Sequence, residues 1–401
     1  MASDDKKKKF FIVTTIPGSL DFFKGQLRLL NESFQVSAIS SQNDRLKQFG
    51  TEEGIQTIHI PMERPVSLWK DPISLMRFIA LFAVKRPHIV HGNTPKGSFL
   101  SMIAAWLTRI PVRIYMCHGL RYQGYQGRMR RLLMAMERIS CRCATHVIAV
   151  SHGTKSTLLN DSICPPEKLM IVGDGSAGGI DLSLFDRDKI TPAKEITDLI
   201  PAGDFKFCFV GRIVKDKGIN EMVEAFSHLC DERGDISLVM VGPFEDAENP
   251  IDDTTRETLH NHPKIHILGS KPDVKPYIVA CDTLLLPSYR EGLPTVPIEA
   301  GALSVPTIAT DIPGCNEVVI DGKNGYLVKP RDPKSLLEAM KLAVNGRDFS
   351  IIKMGQTARK MVEAKYEQEK VWSAYRKLYN SLAYPHQPQS KTDELTPDRE
   401  H

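Results

Sequence analysis

Two glutamates around a short apolar segment are the first residues that could do chemistry. Glu291 and Glu299 flank the sequence GLPTVPI, and residues 284–286 upstream form an apolar run typical of a buried strand. Pro294 suits the first turn of a helix, so the segment predicts a strand, a loop with Glu291 and a helix with Glu299. Helix N-terminal N–H groups bind anions, and carboxylates accept hydrogen bonds from sugar diols. The pattern indicates a ligand with phosphate and hydroxyl groups, although two solvated surface acids would have the same spacing.

Two cations lie directly after another apolar run. Arg212 and Lys217 follow residues 205–210 and precede the helical pattern INEMVEAFSHL. Arginine contacts phosphate oxygens as a fork and lysine as a point charge, so the pair suits a diphosphate at a strand end. Solvation of an ordinary surface loop is the alternative.

The N-terminal half carries polar residues at three predicted strand ends. Gly18 lies in the first strand-to-helix turn, where a small residue lets backbone N–H groups approach a phosphate. Asn93, Thr94 and Lys96 follow another strand. His118 follows a third, where it can donate a hydrogen bond to a phosphate or sugar oxygen. Any one of these residues is also compatible with an ordinary loop position.

Short apolar strands alternate with helical stretches through both halves, which is typical of parallel α/β sheets. A polar segment near residues 186–204 separates the two series, so we predict two doubly wound domains that face each other across a cleft. The predicted strands are residues 9–16, 35–40, 56–60, 88–92, 112–117 and 146–151 in the first series, and 205–211, 236–242, 264–269, 282–287, 305–310 and 324–329 in the second.

The predicted boundaries follow from this alternation. Helical patterns near residues 333–345 and 349–382 precede a polar, proline-interrupted end. We predict an N-terminal domain of residues 1–186 and a C-terminal domain of residues 187–369. A helix of residues 370–383 then packs back on the N-terminal domain, and residues 384–401 form a disordered tail.

Composition is that of a soluble globular protein rather than a membrane-spanning or nucleic-acid-binding one. No apolar run reaches the roughly 18 to 20 residues of a membrane span. The eight cysteines lack framework spacing, so we expect reduced thiols and a cytoplasmic location. The net charge of +4 is uneven, because residues 1–146 hold 22 Lys and Arg against 10 Asp and Glu. The interleaved basic and aromatic pattern of a nucleic-acid module is missing.

The densest basic segment is RYQGYQGRMRRLLMAMERISCRCA, in which apolar residues recur at helical spacing. Such an amphipathic helix can lie against an anionic membrane surface or a lipid head group. A core-packed helix with a solvated basic face is the alternative.

The pattern GR…K.KG together with the glutamate pair resembles the retaining glycosyltransferases of family four, which have the GT-B fold. The similarity extends over nearly the whole chain to about residue 383 and includes GSAGGIDLSLF before the linker. The turn PGS and the stretch GSAGG depart from the family's commoner sequences. The resemblance implies an α/β GT-B fold of two Rossmann-like domains.

The resemblance also implies roles for individual residues. Arg212 and Lys217 would hold the donor diphosphate and stabilise the leaving group, and Glu299 would bind the ribose. Glu291, with backbone N–H groups of the turn after it, would contact the donor sugar, and His118 would lie near the transferred sugar. The implied catalytic residues are Arg212, Lys217, Glu291 and His118. The implied donor-binding residues are Gly18, Arg212, Lys217, Glu291, Gly292, Leu293 and Glu299.

The expected reaction is transfer of a hexose or N-acetylhexosamine from a nucleotide-sugar to an acceptor hydroxyl. The family resemblance implies that the nucleotide-sugar is a UDP-sugar. No metal or other cofactor is expected. The basic N-terminal half suits a polyprenyl-diphosphate-linked sugar at the inner face of a cell membrane, as in surface-polysaccharide assembly. The acceptor-side candidates are Asn93, Thr94, Lys96, Arg121, Arg128 and Arg131. A sugar-nucleotide epimerase of the same architecture and a non-catalytic nucleotide-sugar binding protein remain alternatives.

Overall fold

The computed structural model describes residues 7–41, 43–63, 65–245 and 249–385. Two separate parallel β-sheets account for all the strands in these residues. The predicted disordered tail lies outside the described residues, except for its first two positions.

The first sheet has seven parallel strands in the spatial order β3-β2-β1-β4-β5-β6-β7. Central β1 lies between two neighbours, with Phe10 opposite Val36 on one side and Ile89 on the other. The strands are β1 (Lys9–Val13), β2 (Gln35–Ser40), β3 (Gln56–His59), β4 (Ile89–Gly92), β5 (Val112–Cys117), β6 (His146–Ala149) and β7 (Leu169–Met170).

Helices cover both faces of this sheet, because alternate residues of each strand are buried on opposite sides. Phe11 and Val13 of β1 pack with α3, α4 and α5, whereas Phe10 and Ile12 pack with α1 and α2. The helices are α1 (Gln26–Ser33), α2 (Asn43–Glu53), α3 (Lys70–Lys85), α4 (Pro95–Leu107), α5 (Gly127–Cys143) and α6 (His152–Asn160).

The second sheet has six parallel strands in the order β10-β9-β8-β11-β12-β13, which is the 3-2-1-4-5-6 order of a dinucleotide-binding fold. Its switch point lies between β8 and β11, so ligands are expected beyond the carboxyl ends of those two strands. The strands are β8 (Phe205–Val210), β9 (Ile236–Val241), β10 (Ile265–Gly269), β11 (Thr283–Leu286), β12 (Thr307–Thr310) and β13 (Gly325–Val328).

Helices again cover both faces of the second sheet, with α8 and α13 in one core cluster and α7, α10 and α11 in the other. The α-helices of this part of the chain are α7 (Lys194–Leu199), α8 (Ile219–Glu232), α9 (Asp253–Asn261), α10 (Lys275–Val279), α11 (Thr295–Ala302), α12 (Cys315–Val318), α13 (Pro333–Asn345) and α14 (Ile352–Lys365), and α15 (Gln368–Ala383) follows them.

The last helix, α15, packs against the first sheet although it follows the second domain in sequence. Tyr375 and Tyr379 are buried in the same cluster as Phe10 and Ile12. The Tyr375 hydroxyl donates to the Ser176 carbonyl at 2.8 Å. The C-terminal end of the described chain is therefore anchored on the N-terminal domain.

All twelve predicted strands are present, and β1 ends three residues earlier than its apolar run. Two helix predictions need correction. Pro294 is the N-cap of α11 with extended backbone rather than a first-turn residue, and Pro297 occupies the first turn instead. The stretch 349–382 is two helices, because Tyr366 and Glu367 leave the helical conformation between them.

Replacing Tyr375 with alanine should destabilise the protein by about 3–5 kcal/mol, because it removes a buried aromatic ring and leaves a cavity. Lys377 is exposed on the same helix, so Lys377→Ala should change stability by less than about 0.5 kcal/mol. Urea unfolding followed by circular dichroism measures both variants. Equal midpoints for the two would contradict the packing of α15 on the first sheet.

Candidate active site

The turn after β8 brings the predicted cations to the carboxyl edge of the second sheet. Residues Lys215–Lys217 form one 3-10 turn, and Gly218 then begins α8 with φ +70°. A side chain at Gly218 is excluded because a Cβ would lie 2.0 Å from the Pro287 carbonyl oxygen. The turn is thereby held against the loop that follows β11.

Lys217 and Glu291 form an ion pair across these adjacent strand ends. The Lys217 Nζ lies 2.5 Å from Glu291 Oε1, and both side chains are mostly buried. The neighbouring Arg290 donates to Asp216 Oδ2 from Nε at 3.0 Å and from Nη2 at 2.7 Å. The loop after β8 and the loop after β11 are therefore joined by two neighbouring ion pairs.

Arg212 projects from the same edge and is more exposed than Lys217. Its Nη1 lies 2.7 Å from Oε2 of Glu245, which follows β9. A half-exposed ion pair of this kind contributes little to stability. The guanidinium can therefore exchange its partner for a phosphate at small cost.

Glu299 lies in the second turn of α11, where its carboxylate is largely enclosed. Burial raises the pKa of Glu299, Lys275 on α10 opposes that shift, and Asp273 adds to it. Within the described residues, no hydrogen bond or ion pair to this carboxylate is present. An enclosed acid without a partner is a candidate for ligand binding, because hydroxyl donors would satisfy it.

The loop after Glu291 contacts the N-terminal domain at Gly292. A Cβ at this position would lie 1.9 Å from the His118 carbonyl oxygen of the first domain. Ser151, the N-cap of α6, donates to the Gly292 carbonyl at 2.7 Å. Leu293 packs partly against apolar clusters of both domains. The two domains therefore touch at the residue next to the predicted sugar-binding glutamate.

A second contact joins the domains close to Gly292. The Glu317 carboxylate accepts from the backbone N–H groups of His152 and Gly153, each at 2.7 Å, at the N-terminus of α6. Negative charge is favourable at that helix end. This contact and the Ser151 bond close the same edge of the cleft.

His118 follows β5 at this domain contact, with a partly exposed ring. Burial lowers its pKa to about 4, so the imidazole is neutral at pH 7. The rings of Phe22 and Phe23 flank it at centroid distances of 5.6 and 6.2 Å. Its Nε2 lies 3.4 Å from Asn93 Oδ1.

Three acceptor-side candidates form hydrogen bonds or ion pairs with other residues of the N-terminal domain. Asn93 is buried and bonds to His91 and His118. Thr94 Oγ1 accepts from the Thr15 N–H at 2.8 Å. The Lys96 side chain is 6% exposed, and its Nζ pairs with Asp71 at 2.7 Å. Apart from His91, these partners come from distant segments, so the sequence could not show them.

The remaining N-terminal candidates are more accessible. Arg128 and Arg131 on α5 are exposed, and Arg121 contacts Tyr125 through its guanidinium at 3.3 Å. Gly18 is exposed in the 3-10 segment Pro17–Phe23, and a Cβ there would meet no atom within 4 Å. Close packing therefore does not require glycine at position 18, and its phosphate contact remains a prediction.

A cavity of about 180 Å³ lies between the domains beside Glu291. Its walls include Gln123, Tyr125 and Gln126 from the first domain and Arg290 and Arg331 from the second. Polar groups of both domains therefore face the same space. Among the described residues, no group of three or more His, Cys, Asp or Glu is placed to hold a metal ion.

Comparison with known proteins identifies the family. The family described as Glycosyl transferases group 1 matches residues 193–368, and the Glycosyl transferase 4-like domain matches residues 25–175. The chain is 32% identical to the capsular polysaccharide biosynthesis glycosyltransferase CapM of Staphylococcus aureus, over 94% of this chain and 98% of CapM. The chain belongs to the family-four glycosyltransferases with the GT-B fold.

Two further relatives are informative. The glycosyltransferase is 24% identical to the UDP-Gal:alpha-D-GlcNAc-diphosphoundecaprenol alpha-1,3-galactosyltransferase of Escherichia coli, over 81% of this chain and 84% of the relative. The crystal structure of Anabaena Alr3699/HepE in complex with UDP and glucose superposes with a TM-score of 0.76 at 16% identity, and the match covers 93% of this chain and 100% of that one. At this identity the superposition shows a shared fold.

Several site residues of the glycosyltransferase were not predicted from its sequence. Asp216 and Glu245 pair with cations, and Ser151 and Glu317 join the domains. Glu245 follows β9, so the rule that ligands gather at strand ends could have found it. The contacts of Ser151 and Glu317 had no sequence signal, because each depends on how the two domains meet.

Glu299→Gln should stabilise the protein at pH 7 when no nucleotide is added. Burial raises the pKa of Glu299 in the folded state above its value in the unfolded state. The contribution of this side chain to the free energy of unfolding is therefore largest at a pH below the unfolded-state pKa, and it is lost as the pH rises through the folded-state pKa. The variant should therefore unfold at a higher temperature than the wild type at pH 7, and the difference should vanish below about pH 4. Calorimetry at several pH values measures this difference.

Glu338, an exposed acid on α13 with a surface ion pair to Lys341, is the control, since Glu338→Gln should change the melting temperature little at any of these pH values. A Glu299→Gln variant with a lower melting temperature at pH 7 would show that the carboxylate is stabilised by a partner.

Proposed function

We propose that this glycosyltransferase moves a hexose or N-acetylhexosamine from a UDP-sugar to a hydroxyl of a lipid-diphosphate-linked sugar, with retention of anomeric configuration and without a metal. The observation that carries the proposal is the Lys217–Glu291 pair at 2.5 Å beside Arg212, at the switch point of the second sheet. A cation for the diphosphate and an acid for the sugar stand together there. The UDP and glucose in the HepE crystal structure and the galactosyltransferase relative support the donor class.

The donor exchanges the ion pairs of the site for its own contacts. Its diphosphate takes Lys217 from Glu291 and Arg212 from Glu245, so each cation loses one anionic partner and gains another. Glu291 then accepts hydrogen bonds from hexose hydroxyls, and Glu299 accepts them from the ribose. Each of the two cations therefore has an anionic partner both before and after the donor binds.

In the proposed reaction, the bond between the anomeric carbon and the donor phosphate oxygen breaks, and its electron pair stays on the departing diphosphate. Arg212 and Lys217 neutralise the charge that develops there. The acceptor oxygen bonds to the same face of an oxocarbenium-like sugar, and its proton passes to the departing phosphate oxygen. Positioning by the closed cleft accounts for much of the rate.

The relatives support a role in bacterial capsule or surface polysaccharide synthesis. CapM is named for capsular polysaccharide biosynthesis, and the Escherichia coli relative is named for a diphosphoundecaprenol-linked acceptor. The described residues contain no helix that is long and apolar enough to cross a membrane. The lipid-linked acceptor in the name of the Escherichia coli relative supports a place at a membrane surface, and we propose that this enzyme meets its acceptor at the inner face.

An exposed apolar segment at the start of α3, here called the apolar edge, supports this location. The Trp69 and Leu68 side chains are 85% and 84% exposed, and Ile73 and Met76 are exposed on the first turns of the helix. The residues of the apolar edge are Val66, Leu68, Trp69, Ile73 and Met76. Exposed tryptophan and leucine beside basic residues are typical of a surface that enters the membrane interface.

Four of the five arginines of α5 divide into an exposed pair and a pair that contacts Asp161 or Ser162. Arg128 and Arg131 are exposed, near the start of a helix that packs beside α4, which in turn packs beside α3. Arg138 instead donates to the carbonyls of Asp161 and Ser162, and Arg130 lies 4.0 Å from the Asp161 carboxylate. We assign the attraction for anionic lipid to Arg128 and Arg131.

Nucleotide-sugars of a single class, expected to be UDP-sugars, should raise the melting temperature of the wild type in a panel of UDP-, GDP-, ADP- and dTDP-sugars. Glu299→Ala should abolish that shift, and Glu338→Ala on the surface should retain it. Stabilisation of the Glu299→Ala variant equal to that of the wild type would exclude Glu299 from the donor site. An epimerase would convert the stabilising donor without acceptor, and a binding protein would convert nothing.

The double variant Leu68→Ser/Trp69→Ser should bind vesicles of anionic lipid at least about tenfold more weakly than the wild type, because it removes two side chains worth roughly 1.5–3 kcal/mol each when buried. Phe349→Ser removes an exposed aromatic residue of the C-terminal domain and is the matched control. Vesicle co-sedimentation measures binding. Equal binding by all three proteins would contradict a membrane role for the apolar edge.

A further inference from the structure

A chain of hydrogen bonds runs from the last helix to His118 through the interior of the N-terminal domain. The Tyr379 hydroxyl lies 3.2 Å from His91 Nε2, and His91 Nδ1 lies 2.8 Å from Asn93 Nδ2. Asn93 Oδ1 lies 3.4 Å from His118 Nε2. His91, Asn93 and Tyr379 are all buried, so this chain connects the core to the partly exposed ring at the cleft.

The orientation of the Asn93 amide is fixed by a second contact. Its Nδ2 also lies 3.1 Å from the His91 carbonyl oxygen, which can only accept. The NH₂ group must therefore face His91, and the amide oxygen must face His118. The opposite orientation would place two acceptors against each other.

This orientation determines the proton positions on both histidines. His91 Nδ1 accepts from Asn93, so the neutral His91 ring carries its proton on Nε2 and donates to the Tyr379 oxygen. His118 must donate from Nε2 to the Asn93 oxygen, which leaves the lone pair on Nδ1. Burial lowers the pKa of His91 to about 3 and that of His118 to about 4, in agreement with neutral rings.

The surroundings of His118 leave Nδ1 available. Phe22 and Phe23 pack against the ring and offer no hydrogen-bonding group. Among the described residues, Nδ1 has no hydrogen-bond partner. Burial lowers the pKa of His118, and the titratable group whose pKa His118 itself lowers is His91. The sequence-based expectation that His118 donates a hydrogen bond to the ligand is therefore reversed, since its only N–H is used by Asn93.

We propose that Asn93, held by His91, is a positioning residue that fixes His118 as the Nε2–H tautomer, so that Nδ1 accepts a hydrogen bond from a hydroxyl of the donor hexose. The second half of this proposal rests on the proposed function, and the tautomer itself does not. Asn93, predicted on the acceptor side, thus acts on the donor side through His118. The arrangement favours a donor sugar with a free hydroxyl that faces His118 Nδ1 over a sugar that lacks this hydroxyl.

The tautomer can be read directly by ¹⁵N NMR of the full-length protein labelled at histidine, with His118→Gln used to assign the signal. At pH 7 and without nucleotide, His118 should show a protonated Nε2 and an unprotonated Nδ1. A protonated Nδ1 in the wild type would overturn the proposal. This result does not depend on any enzymatic activity, so it remains decisive if the proposed transfer reaction is wrong.

Asn93→Asp replaces the amide with a carboxylate that can pair with protonated His118, so the pKa of His118 should rise toward neutrality. When His118 is protonated, its Nδ1 becomes a hydrogen-bond donor and can no longer accept from the sugar hydroxyl. Transfer should fall about tenfold, the effect of losing roughly one hydrogen bond, and should recover as the pH is raised above the new pKa. An unchanged pH profile in a folded Asn93→Asp protein would overturn the positioning role.

Tyr379→Phe is the matched control, because it breaks the far end of the chain without touching Asn93. We expect a lower melting temperature, an unchanged His118 tautomer and an unchanged pH profile. Asn93→Ala provides a second variant if Asn93→Asp does not fold, and it should lower kcat about tenfold with little change in the KM for the acceptor. An unchanged kcat in Asn93→Ala would contradict the proposal.

Discussion

The close approach of two backbones at Gly292 is the constraint on which the site depends. The His118 carbonyl of one domain occupies the space that a side chain at Gly292 would need, and the Gly292 carbonyl accepts from Ser151. Glu291 is covalently next to this contact, so its carboxylate is placed by both domains at once. Any change in how the domains meet therefore moves the Glu291 carboxylate relative to His118, and the proposed reaction would depend on this contact between the domains.

Electrostatic pairing within the C-terminal domain makes this site ready for an anion. Lys217 pairs with Glu291, Arg212 with Glu245 and Arg290 with Asp216, so three cations are held at one sheet edge by three acids. The acids hold the cations in place, although the exposed pairs add little to the free energy of unfolding. Glu299 differs, because its enclosed carboxylate has no such partner among the residues that the structure describes, and an enclosed acid of this kind is a candidate for ligand binding.

The sequence predicted the fold well because strands of parallel sheets are buried on both faces and appear as short apolar runs. The positions of Arg212, Lys217 and Glu291 were also predictable, since residues directly after such strands must lie at the carboxyl edge. Lys96 follows the same rule but forms an internal pair with Asp71, and a strand-end position cannot reveal a partner from another helix. The domain contacts and the tautomer of His118 depend on distant segments, so no local pattern encodes them.

The most direct test of the account is the anomeric configuration of the product. The enzyme would be incubated with a UDP-sugar and a lipid-diphosphate-linked sugar, and the new linkage examined by NMR of the anomeric proton and carbon. The account predicts acceptor-dependent product whose anomeric configuration equals that of the donor. A product of opposite configuration would contradict the proposed same-face reaction across the Lys217 and Glu291 site.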